Sequence, residues 1–211
     1  MKFYPICKRA FDVLLCIPAA IVLLPFFLVL ALLVRLESKG PVIFRQQRAG
    51  KGGKPFIFYK FRTMKLESDP FGASPKSADD PRLTRIGRFL REYSLDELPQ
   101  LYNIIKGDMS LVGPRPLYMA QVAEWNERQR TRLLVRPGLT GLAQVSGRGE
   151  LTQEEKLELD ARYVETAGFV LDIRIVLATV GRVFGRKSIY EKRYSQTEHT
   201  RGEGEKSSGP D

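Results

Sequence analysis

Between Val13 and Val34 the chain carries no charged residue, and this run limits the folds open to it more than any other feature. As a helix at 1.5 Å per residue it would be about 33 Å long, enough for the roughly 30 Å hydrocarbon core of a bilayer. It is long for the apolar core of a signal peptide, and no small-residue cleavage site follows it. We therefore read it as a membrane segment. Lys2, Lys8 and Arg9 precede it, and Arg35, Lys39, Arg45, Arg48, Lys51 and Lys54 follow it. Cations on both sides would keep both ends in the cytoplasm. Pro25, at the middle, removes a helical hydrogen bond and can bend the chain, so the segment reads either as a re-entrant hairpin dipping into one leaflet or as a kinked single-pass anchor.

The formal charge of +10 points to phosphates, whether of nucleic acid, anionic lipid or a phosphorylated substrate. The one histidine, His199, lies in a polar tail, which argues against a histidine base, a Ser-His-Asp triad and a histidine-bound zinc. Cys7 and Cys16 lie beside or within the apolar run, which argues against a disulfide framework or a cysteine metal site. Acid-base or nucleophilic work falls to carboxylates.

Two carboxylates are well placed for it. Leu98, Leu101, Tyr102 and Ile105 recur at helical spacing, and Pro99 sets the start of that helix near Leu95 or Asp96. Asp96 and Glu97 then stand at its positive end. Helix capping alone accounts for them, because Ser94 with Glu97 fits a capping box. The other account is functional: a helix N-terminus favours an ionised Asp96 and also draws in a ligand phosphate. In Gly113-Pro114-Arg115-Pro116 an arginine is held between two prolines, a geometry suited to phosphate, and a divalent ion can supply further charge.

Elsewhere the pattern predicts two short strands, Pro41 to Phe44 and Pro55 to Phe61, joined through Gly50–Gly53. Lys60 and Arg62 on the second strand either face solvent or face a phosphate. Glu67 to Asp80 reads as a mobile loop. Thr84 to Tyr93 is a basic amphipathic helix, with Arg82, Arg85, Arg88 and Arg91 three residues apart, and Leu117 to Leu134 is a further helix. Arg136 to Arg148 is too rich in glycine for a regular element and reads as a binding loop. Thr152 with Glu155 opens a helix to about Val164, and Val170 to Phe184 is an apolar helix suited to a membrane surface. The tail from Ser195 is polar and expected to be disordered.

In combination these stretches resemble the bacterial sugar transferase family, the small monotopic polyprenol-phosphate phosphoglycosyl transferases. The motifs that carry the resemblance are Lys8-Arg9 before the apolar run, Tyr59–Met64, Asp80–Gly87, Ser94–Asn103, Lys106–Pro116 and Arg136–Arg148. The resemblance implies an α/β, mainly helical monotopic protein with a re-entrant membrane helix hairpin over residues 1–36. A cytoplasmic domain of a short β-hairpin and interfacial amphipathic helices would occupy 37–190, and a disordered tail 191–211. It implies transfer of a phosphosugar from a UDP-sugar to polyprenol phosphate, with Mg2+, at the cytoplasmic face of the bacterial inner membrane and without nucleic acid. Asp96 matches the nucleophile and a metal ligand, and Glu97 its partner. Lys60 and Arg115 match phosphate positions, and Arg91, Gln144 and Arg148 fall in motifs that hold the nucleotide. Leu24 before Pro25, and Leu142 and Ser146 in the glycine-rich loop, depart from the family pattern. Two other readings stay open: direct displacement with Asp96 only as a metal ligand, and a non-catalytic membrane-anchored basic protein.

Overall fold

The computed structural model describes residues 4–68, 75 and 77–185. The expected disordered tail, and part of the loop between Glu67 and Asp80, lie outside the described residues. The helices are α1 (Tyr4–Glu37), α2 (Arg85–Glu92), α3 (Gln100–Lys106), α4 (Glu127–Arg130), α5 (Leu142–Ser146), α6 (Gln153–Thr166) and α7 (Phe169–Gly185). The strands are β1 (Ile43–Ala49), β2 (Pro55–Phe61), β3 (Ser110–Val112) and β4 (Gly138–Thr140). The chain is thus mainly helical with two short sheets.

Instead of two arms meeting at Pro25, α1 is one continuous helix of 34 residues with Pro18 and Pro25 inside it. Packing on both sides of the prolines accounts for this. Asp12, Cys16, Ala20, Leu23, Phe27, Leu30 and Val34 recur every three or four residues, so they share one face, and the six apolar ones lie against the rest of the protein. Cys16, Leu23 and Phe27 meet Phe56, Phe58, Leu101, Ile104 and Met109. Further along, Leu30 and Val34 meet Phe61 and Leu90. Full burial of a Leu, Val or Phe side chain stabilises by about 1.5–3 kcal/mol, so several together offset the roughly 3 kcal/mol that a proline inside a helix costs. The other face, with Leu14, Ile21, Val22, Leu28 and Leu32, is exposed. By length and composition α1 is apolar enough to cross a membrane.

Both ends of α1 are tied to the same body. Near the start, Lys8 Nζ lies 2.5 Å from Asp172 Oδ2 on α7, and Arg9 donates to the carbonyls of Ile104 and Ile105, at the end of α3. Buried Asp12 accepts from the Leu111 N–H at 3.0 Å. At the far end, Glu37 accepts the N–H groups of Arg85 and Ile86 at 2.6 and 2.9 Å, joining the α1 terminus to the first turn of α2.

The two sheets extend beyond the expected strands. Strands β1 and β2 pair antiparallel, with Phe44 opposite Lys60 and Arg48 opposite Phe56, so β1 runs to Ala49 rather than ending at Phe44. Strand β4 lies parallel to β3, within the stretch expected to be an irregular loop. Its glycines serve close backbone packing: a Cβ on Gly138 would sit 2.1 Å from the Gly113 nitrogen, and one on Gly141 would sit 2.1 Å from the Gly113 oxygen. Leu117 to Leu134 is not one helix but a turn over Met119–Glu124, then α4, then a turn over Thr131–Leu134. Asn126 breaks it by capping α4 afresh, accepting from Gln129 N at 2.9 Å. The capping box at α6 forms as read, with Thr152 and Glu155 bonded reciprocally at 2.8 and 3.2 Å.

Candidate active site

Asp96 sits in a tight turn, Leu95–Glu97, that precedes α3 instead of beginning it. Pro99 is the reason: without an N–H it cannot bond back to Leu95, so the chain tightens to bonds from Leu98 N to Leu95 O and from Leu101 N to Leu98 O. Ser94 does not cap the turn with its side chain. It takes the left-handed conformation, φ 56°, and its N–H bonds to Arg91 O, which closes α2. Leu95 and Leu98, on either side of the acid pair, pack into the cluster formed by Leu30, Val34, Phe61 and Leu90. The carboxylate turn therefore rests on the second half of α1.

Asp96 is buried, 7% exposed, among cations from three elements. Burial first, and then neighbouring Glu97, push its carboxyl above the usual carboxylate range, while Arg91, Lys60 and Arg115 pull against that shift. Burial, aided by Arg91, brings the Lys60 ammonium down to about 8, against the pull of Asp96. Lys60 Nζ lies 5.0 Å over the Phe44 ring. Its strand is fixed to α3 by Asn103, which accepts from Tyr59 N at 3.2 Å and donates to Ile57 O at 2.7 Å. Arg91 Nε donates to Thr63 Oγ1 at 3.0 Å. Arg115 forks onto Glu97 with contacts of 2.5 and 3.3 Å, so Glu97 holds the arginine turn against the carboxylate turn.

The structure thus brings Lys60, Arg91, Asp96, Glu97 and Arg115 together. It adds Arg48, which by sequence is one of the cations that follow the apolar run. Arg48 shares the β-hairpin face of Lys60 and stacks 3.6 Å from the Tyr118 ring centre. It donates to Gln46 Oε1 at 2.7 Å and to Pro116 O at 3.4 Å, and burial draws it down to about 10. A first strand read through to Ala49 would have placed it here by alternation. Gln144 lies beside the Gly113 and Gly141 backbones, next to the arginine turn, with both amide atoms buried and unpartnered. Arg148 is in a turn with Gly149 and Glu150, and its side chain lies outside the described ones. Arg62 is not at the site: its guanidinium holds the carbonyls of Ser38 and Lys39 at 2.7 and 2.9 Å.

A buried carboxylate ringed by cations suits an anionic ligand that an acid must attack or bind. Among the described residues no cluster of three or more acidic, cysteine or histidine side chains is placed to hold a metal. Asp96 would suit the other mode, in which one or two carboxylates share Mg2+ with substrate phosphates, whereas both oxygens of Glu97 are engaged by Arg115.

A family model described as bacterial sugar transferase matches residues 3–186. An uncharacterised sugar transferase of Bacillus subtilis, EpsL, is 44% identical over 96% of this chain and its own whole length. The galactosyl transferase CpsE of Streptococcus agalactiae is 40% identical over 85% of this chain. The UDP-glucose:undecaprenyl-phosphate glucose-1-phosphate transferase of Escherichia coli is 41% identical over 87% of it. The chain spans only 43% and 41% of the length of these last two.

Proposed function

The chain belongs to the bacterial sugar transferase family, and from that membership and the cation-ringed Asp96 we propose that it moves a phosphosugar from a UDP-sugar to undecaprenyl phosphate. It is a transferase and not a non-catalytic basic anchor. The observation that carries the reading is the convergence of Lys60, Arg91 and Arg115 on one buried carboxylate, because a diphosphate brought to a carboxylate needs cations on both.

Lys60, Arg91 and Arg115 hold the donor's diphosphate, and Asp96 attacks its β-phosphorus. The bond from that phosphorus to the bridging oxygen breaks, UMP leaves with the oxygen, and the phosphosugar rests on Asp96 as an acyl phosphate. An oxygen of undecaprenyl phosphate then attacks the same phosphorus. The Asp96 carboxylate is released with the electron pair, and the product is undecaprenyl diphosphosugar. Arg115 stabilises the charge that grows on the phosphoryl oxygens in both steps, and Glu97 keeps it in place. Asp96, with the donor's phosphate oxygens, would hold Mg2+, whose chemistry is neutralisation of phosphate charge. Gln144 and Arg148 are assigned to the nucleotide.

A direct test is release of UMP by the purified chain from a panel of UDP-sugars, with and without undecaprenyl phosphate. One sugar should give lipid-dependent turnover that EDTA stops. Lipid product from none of the panel would refute the assignment. The names of the relatives include both galactosyl and glucose transfer, so the panel must hold both sugars.

We further propose that α1, although it stays one helix, keeps both of its ends on the cytoplasmic face of the inner membrane, so that the protein is monotopic there, since both helix ends are bonded to the same domain. In intact spheroplasts an impermeant thiol reagent should reach neither Cys7 nor a Lys39→Cys variant, and both should react after permeabilisation. Labelling of Cys7 alone from outside would make α1 a single-pass anchor.

A further inference from the structure

The arginine turn is held from behind by a set of donors that the proposed chemistry does not use. Four successive carbonyls, Pro114 to Leu117, each accept a bond. Gly138 N reaches Pro114 O at 2.8 Å, and Ala49 N reaches Leu117 O at 2.9 Å. Between them, the Arg132 guanidinium donates to Arg115 O, and Arg48 donates to Pro116 O at 3.4 Å. The two prolines lend the turn no N–H groups, so besides the Gly113 N–H bond to Thr140 O and the Arg115 fork on Glu97, it is what binds its carbonyls that positions it. The carbonyl of Arg115 itself is held by Arg132.

Arg132 is built into the interior. It is 4% exposed, its guanidinium lies 4.7 Å over the Trp125 ring, and the nitrogen that reaches Arg115 O also lies 2.7 Å from Asp160 Oδ2 on α6. A buried ion pair is a weak source of stability, since an apolar pair of similar volume is commonly as good. What an apolar pair lacks is a donor for the Arg115 carbonyl. We propose that Arg132, clamped between Asp160 and Trp125, is a positioning residue that sets where the Arg115 guanidinium meets the substrate phosphate. Arg132 acts only through Arg115. The inference rests on the phosphate role of Arg115 given above.

A double-mutant cycle on the full-length chain tests it, using the UDP-sugar on which the parent releases UMP. Arg132→Met/Asp160→Leu removes both buried charges together. This variant should melt within about 4 °C of the parent, as a change near 1 kcal/mol would allow, while kcat/KM falls by roughly 10- to 100-fold, the scale of a misplacement near 1 Å. Added to Arg115→Ala, the same pair should cost nothing more. An equal loss in both backgrounds would overturn the proposal, because Arg132 would then act elsewhere, and so would unchanged kcat/KM in the pair variant. Should the pair variant fail to fold, Arg132→Lys takes its place. It keeps the charge opposite Asp160 but not the planar fork, and its loss should likewise vanish in the Arg115→Ala background. If Arg115→Ala alone leaves turnover intact, the phosphate role fails instead, which is a separate result.

Discussion

Asp96→Asn is expected to give a folded, membrane-associated protein that neither carries a phosphosugar nor turns over, with activity reduced by roughly 10⁴-fold or more, as for loss of other covalent nucleophiles. The substitution preserves size and removes the anion. Parent enzyme given UDP-sugar alone should release UMP in at most stoichiometric amounts and gain one phosphosugar on Asp96, which undecaprenyl phosphate then discharges with ping-pong kinetics. Intact-protein mass spectrometry reads the adduct directly. Lipid product formed through a ternary complex, with no adduct at any time, would make Asp96 a metal ligand in a direct displacement. Since Asp96 is held above the ordinary carboxylate range, the acid limb of the rate profile should also lie above that range, with activity lost as pH falls through it.

Arg115→Ala should lower kcat/KM by about 10²- to 10³-fold while membrane partition stays unchanged, because the lost guanidinium stabilises charge in the transition state and has no part in anchoring. The two measurements must separate. Parallel loss of partition and activity would turn the turn into a structural element. On the alkaline side, Lys60 sits near 8, so phosphate binding through its ammonium is present below that pH and declines above it. Lys60→Arg keeps the charge and should move the alkaline limb upward. A limb near 8 that stays in place in this variant would take Lys60 out of the phosphate site.

Much of this site can be read before folding is considered. Asp96, Glu97 and Arg115 are marked by local chemistry: an acid pair next to a proline, and an arginine between two prolines. Strand alternation and helix spacing leave Lys60 and Arg91 open, since Arg62 shares the alternation of Lys60 yet binds Ser38 and Lys39, and only the family resemblance assigns the two to the ligand. Local signals misplaced Ser94, since the same serine can open one element or close the one before, and only the backbone bond to Arg91 O decides between them. Arg48 and Arg132 were missed for another reason. A buried arginine does not differ in local sequence from a surface one, and what buries these two comes from far away: Arg132 meets Asp160 across 28 positions and Arg48 meets Pro116 across 68. The parallel strand β4 was hidden likewise, its glycines having the composition of a loop while their use is to let backbones touch.

The tie between Lys8 and Asp172 spans 164 positions, and that distance along the chain is also an interval in time. At roughly 5–20 residues per second, Lys8 is synthesised some 8–33 s before its partner. Through most of that time the packed face of α1 has no protein to pack on. With α1 taken as a membrane element, lipid is its first solvent, and the domain is then assembled against a helix already seated in the bilayer. Membrane delivery before the domain is complete is the order this timing favours.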